Sequence, residues 1–114
     1  MKLFELPKEK DQLKNLSILY RIKEKMRLEH NEIGAEVGKG GMSAEAFKEW
    51  QRTVFRPEMA KVCTQINTIR EAEDMFTYGD VKSETLTNPK YAELVSIREL
   101  AKNDESLDKD IKIK

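Results

Sequence analysis

The sequence predicts an all-α fold: a long antiparallel helical hairpin, about 8–37 and 44–76, with a short C-terminal helix at about 89–102. Three observations predict it. The one glycine cluster, Gly38-Lys39-Gly40-Gly41, separates two long stretches. In both stretches apolar residues recur at steps of three and four, the signature of one buried helical face. Asn88-Pro89 then supplies a strong helix-start signal, an N-cap followed by proline at the first helical position.

Residues 1–6 form a short apolar-rich arm before Pro7. Proline suits a first helical turn because its missing N–H would be unpaired there, so the first helix is expected from Lys8. Leu19, Ile22, Met26, Ile33 and Val37 fall on one arc of it, and Leu13, Leu16 and Tyr20 lie on a flanking arc. An arc that wide calls for a second contact, either the C-terminal segment or another subunit. The glycines end this helix, and Ser43 is positioned to cap the next. That helix carries Phe47, Trp50 and Val54 to a kink expected near Pro57, whose ring clashes with the carbonyl four residues back. Beyond the kink, Met59, Val62, Ile66, Ile69, Glu73 and Phe76 repeat with the a/d spacing of a two-helix coiled-coil seam, Glu73 being the polar intruder. Residues 77–88 carry loop signals. The last helix turns Tyr91, Leu94, Val95 and Ala101 to one side. Residues 1–102 are therefore read as one helical domain, and 103–114 as a charged tail that frays unless a partner orders it.

The composition supports long, charged helices more readily than a thick core. Hydrophobic residues make up 39% and charged residues 37%, where a typical soluble domain is about 25% charged. The 21 basic and 21 acidic residues cancel, which argues against a strong whole-molecule attraction to nucleic acid or an anionic membrane. No apolar stretch approaches the ~20 residues that span a bilayer. The run before Pro7 is too short for a secretory signal. Cys63 is the sole cysteine, so no intrachain disulfide forms. A cytoplasmic location is expected, by exclusion.

The chemical motifs are weak. Gly34 to Gly40 superficially matches a phosphate-binding loop, but a helix precedes it instead of a strand, the spacing is one residue short, and Gly40 stands where Ser or Thr would meet magnesium. His30 is the only histidine, and residue 27 is Arg, so the Glu-x-x-His pair of di-iron bundles is absent. Glu29, Glu32 and Glu36 make an acidic stripe that reads as a solvated face. A dyad of Cys63 with His30 would need the two to meet across the hairpin beside a polar cleft. No enzyme activity, cofactor or metal is expected.

Two surfaces remain. The aromatic group Phe47, Trp50 and Phe55, with Leu13, Leu16 and Tyr20 on the first helix, points to protein contacts, because Trp is enriched at interaction hot spots. The outline resembles small accessory and assembly proteins, phage-encoded ones included. The expected function is an interaction or assembly module that works through its apolar helix faces as a homo-oligomer or with another protein. The alternative is an anion binder, for nucleic acid or a phosphorylated small molecule. Lys10, Lys14, Arg21 and Lys25 lie within about 60° of one another on a helix and could meet phosphates, though without the interleaved aromatics that single-strand binding uses.

Overall fold

The structure, a computed structural model, describes residues 3–75 and 89–114. It is all-α among those residues. The long helix α1 (Gln12–Gly38) packs against a helical run formed by α2 (Ala44–Trp50), a π-helical segment (Gln51–Phe55) and α3 (Arg56–Ala72), and also against the C-terminal helix α4 (Pro89–Lys102). Phe76, the 77–88 loop and the Asn88 cap lie outside the described residues.

The first helix starts later than Pro7 suggests. Asp11 is its N-cap, with an extended backbone and a carboxylate that accepts the Leu13 N–H at 3.0 Å. Residues 3–10 instead run as an arm tied down by Asn15, the one buried polar side chain among the described residues. Its amide accepts the Glu9 N–H at 2.8 Å and donates to the Glu9 carbonyl at 2.9 Å. An arm without its own helical hydrogen bonds needs such partners once it packs on a core.

The glycine turn behaves as its composition requires. The Gly40 N–H bonds to the Val37 carbonyl and the Gly41 N–H to the Glu36 carbonyl, at 3.2 and 2.9 Å. These are the paired bonds of a Schellman cap, and Gly40 holds the left-handed position at φ +78°. Ser43 then caps α2 by accepting the Ala46 N–H at 3.1 Å.

The break expected at Arg56-Pro57 takes the form of a widened turn. The Arg56 N–H reaches back five residues to the Gln51 carbonyl, and Pro57 has no N–H to bond the turn behind it. Swelling to the π form accommodates that loss without ending the helical run. The run then stops at Ala72, short of the expected 76. Glu73 is the capping residue after the helix and not a member of the seam. Asp74 sits in the left-handed region at φ 54°, and the Met75 N–H bonds to the Arg70 carbonyl at 2.8 Å. A short polar side chain tolerates that conformation, and the turn tucks Met75 wholly inside.

The core sits between α1, α3 and α4. From α1 it takes Leu16, Ile18, Leu19, Tyr20, Ile22 and Met26, from α3 Val62, Ile66 and Ile69, and from α4 Leu94 and Ala101. The α1 members spread over roughly 200° of the helix at 100° per residue, because two helices pack on it from different sides. Leu16 and Tyr20, expected to face a partner, are 0% and 6% exposed inside the single chain, and Leu13 packs half-buried against the same core. The apolar surplus of α1 that pointed to self-association is thus covered in cis.

The charged segment 103–114, expected to fray, folds back. Asp104 caps a 3-10 helix (Glu105–Asp110), accepting the Ser106 N–H at 3.0 Å. This short helix lies on α1, and its Leu107 together with Ile111 packs half-buried on the core. Phe4 and Ile113 form an antiparallel bridge, flanked by the Glu5 N–H to the Lys112 carbonyl and the Lys114 N–H to the Leu3 carbonyl, at 2.8 and 2.9 Å.

Candidate functional site

Two places gather the residues that carry chemistry. The first is the basic face of α1. Lys10 is not on it, because that residue precedes the helix in the extended arm. Lys14, Arg21 and Lys25 do share the face, and each is engaged by a carboxylate from the 3-10 segment. Arg21 donates from Nε to Asp108 Oδ1 at 2.8 Å and from Nη2 to Oδ2 at 3.3 Å, a two-pronged grip on one carboxylate. Its Nη1 donates to the Lys102 carbonyl at 2.5 Å, satisfying a backbone oxygen at the end of α4. The Lys25 ammonium stands 3.2 Å from the same Asp108, and Lys14 stands 3.6 Å from Asp110. One guanidinium, 11% exposed, therefore ties α1 to the end of α4 and to the 3-10 helix, both more than 80 residues away in sequence.

These contacts move the charges in the expected directions. The Arg21 hydrogen bonds hold the Asp108 carboxyl below the usual aspartate range, reinforced by Lys25, while Asp108 raises Arg21 further. A depressed carboxylate stabilises the fold above its unfolded value, about pH 4. That contribution is lost as pH falls through the lower folded value. Acid titration followed by circular dichroism should show wild type losing stability below about pH 4, and Asp108→Asn should be less stable at neutral pH with a shallower acid limb. Identical acid limbs in the two proteins would remove Asp108 as the cause.

The second place is the tip of the α1–α2 hairpin. His30 of α1 stacks among three rings, with centroids 5.4 Å from Phe47, 5.9 Å from Trp50 and 4.5 Å from Phe55. Trp50 lies 5.8 Å from Phe47 and 5.5 Å from Phe55. Gly34 makes the approach feasible, since a Cβ there would come within 3.3 Å of the Phe47 ring. The His30 ring nitrogen Nε2 lies 2.8 Å from the Gln51 amide, on the first residue of the π segment. All four rings are half-buried, and Phe47 and Trp50 stand outside the main core. The Trp50 indole N–H is buried and has no hydrogen-bond acceptor among the described residues.

Sequence reasoning singles out Phe47, Trp50 and Phe55 but not His30 as their fourth ring. The signal was available: residues 30 and 34 are one turn apart on the same face, and the glycine at 34 leaves room for a ring to lie close against the helix. No hydrogen bond joins His30 to Cys63, which is half-buried on α3. Among the described residues no three His, Cys, Asp or Glu side chains converge as metal ligands, and no helix is long and apolar enough to cross a membrane. Comparison with protein-family models, curated proteins and solved structures returns no match, so the geometry alone carries the functional reading.

Proposed function

We propose that the chain is a non-enzymatic helical interaction module that holds a protein partner at the aromatic tip of its hairpin. The observation that carries this is Trp50: half-buried in a four-ring cluster outside the main core, with an N–H shielded from water and no acceptor among the described residues. An indole N–H in that state costs free energy that a partner's carbonyl recovers once the half-buried ring turns to present it, and Trp with its ring neighbours is the side chain most often central to such contacts. The adjoining π segment favours the same reading, because π turns recur at functional sites. The partner is a protein that offers an acceptor and an apolar anchor, and a second copy of this chain is one identity the test reads out.

A photo-crosslinking amino acid at Phe47 is expected to capture the partner in the cells that express the chain. The same probe at exposed Ala92 on α4 serves as control. Trp50→Ala should lower capture at least about thirtyfold, a hot-spot effect of about 2 kcal/mol or more, with helical content unchanged. Equal labelling from positions 47 and 92 would sink the proposal.

A further inference from the structure

The three cations on α1 are not a bare stripe but an occupied one. The chain's own Asp108 sits on Arg21 with the two-pronged geometry that guanidinium groups give carboxylates and also pairs with Lys25, while Asp110 pairs with Lys14. We propose that the 103–114 segment is a displaceable cover on a docking site for an acidic protein segment, one that presents two carboxylates two residues apart.

The hold is of a kind that lets go. No residue of 103–114 is fully buried, and its apolar grip comes from Leu107 and Ile111, both half-buried. The carboxylate of Asp108 is 36% exposed and the ammonium of Lys14 is 44% exposed, so salt screens their pairs. The segment is a short 3-10 helix, whose hydrogen bonds are poorer than those of an α-helix; it leaves α4 through Asn103 and Asp104, and its far end is held by the single Phe4–Ile113 bridge with its two flanking backbone bonds. Arg21, by contrast, stays fixed when the cover lifts, because its Nη1 remains bonded to the Lys102 carbonyl on α4. The cradle is therefore preorganised for the next carboxylate.

Peptide fits this face better than nucleic acid does. With Nη1 held by α4, Arg21 offers only Nε and Nη2 to a docked group, the pair that now grips a side-chain carboxylate. Tyr20, the aromatic nearest the cations in sequence, is buried in the core, and Phe4, which lines the adjoining groove, is half-buried, so the face lacks the run of open rings that successive bases stack on. An open groove of about 450 Å³ adjoins the face, walled by Asp108, Ile111 and Ile113 of the segment and by Phe4, Lys25 and Leu28. Glu29 and Glu32 lie at its far side from the cations, where a docked segment must be uncharged. Leu28, 46% exposed on α1, and half-buried Phe4 stay behind when the cover lifts, giving a docked segment apolar contact beside its charges.

The test is competition. A fluorescent peptide of residues 103–114 is titrated with the full chain and followed by anisotropy. Wild type should bind it weakly, because the tethered copy holds the site. Asp108→Asn with Asp110→Asn in the full chain should bind it at least about tenfold tighter, as expected when the competent fraction rises. Adding Lys14→Gln and Lys25→Gln to that variant should return the affinity to the wild-type level. Hydrogen exchange of the unmodified chain gives an independent reading: amides of residues 106–111 should exchange well before those around Leu94 in α4. The proposal is overturned by no gain in the double variant, by equal binding of a peptide with Asn at both aspartate positions, or by a single-stranded oligonucleotide that binds where the peptide does not. It is overturned equally by a 103–114 segment that exchanges only with global unfolding, or by a dimer of full chains that trade segments.

Discussion

Replacing Ile66 with Asp is expected to abolish the cooperative unfolding transition. Ile66 is 3% exposed on the face of α3 that meets α1, flanked one turn either way by Val62 and Ile69, which are 4% and 6% exposed. Its seam neighbours Val62 and Ile69 offer no donor and Arg70 stands one turn along α3, so a carboxylate there must drag Arg70 inward, enter an apolar core charged, or take up a proton. Each route costs several kcal/mol after relaxation. A domain of this size has roughly 5–15 kcal/mol in total, and one so rich in charge sits low in that range. The melt of Ile66→Asp should be broad and the near-ultraviolet signal of Trp50 lost. Gln65→Asp, one residue away on the exposed side, should stay within about 0.5 kcal/mol of wild type. A wild-type melt for Ile66→Asp would mean that α3 turns a different face inward.

The fold was legible where local chemistry is one-sided. The Gly40 turn, the Ser43 cap and the 62–66–69 seam each follow from residues close in sequence, and each is found where the spacing puts it. The start of α1 was not, because Pro7 and Asp11 are both sound start signals. The choice between them rests on Asn15, whose amide clamps the Glu9 backbone. The least legible feature was the meeting of Arg21 with Asp108, 87 residues apart. A basic stripe and an acidic tail each read as solvated when taken alone, and periodicity carries no information on which distant charge answers which. The same blindness misplaced Leu16 and Tyr20. Helix spacing shows that two sides of α1 are apolar but does not say whether the second neighbour belongs to the same chain. At the aromatic tip the rings were visible in sequence, while the role of His30 depended on a glycine that admits Phe47.

Leu16→Ala decides between those neighbours. Leu16 is fully buried among side chains of the same chain, so truncation removes its transfer free energy and leaves a cavity, together roughly 2–5 kcal/mol. Because the cavity lies within one chain, the loss is a property of intramolecular folding. The difference between variant and wild type should therefore be the same across a roughly tenfold range of protein concentration in urea unfolding monitored by circular dichroism. Were Leu16 instead buried between subunits, mass action would couple its loss to association. The gap would then change with concentration, and the variant would dissociate before it unfolds. The slope of the denaturant dependence adds a second criterion: it scales with the surface exposed on unfolding, so a cavity inside an otherwise intact chain leaves it unchanged. A concentration-dependent gap, or a variant as stable as wild type, would place the neighbour of this face outside the chain.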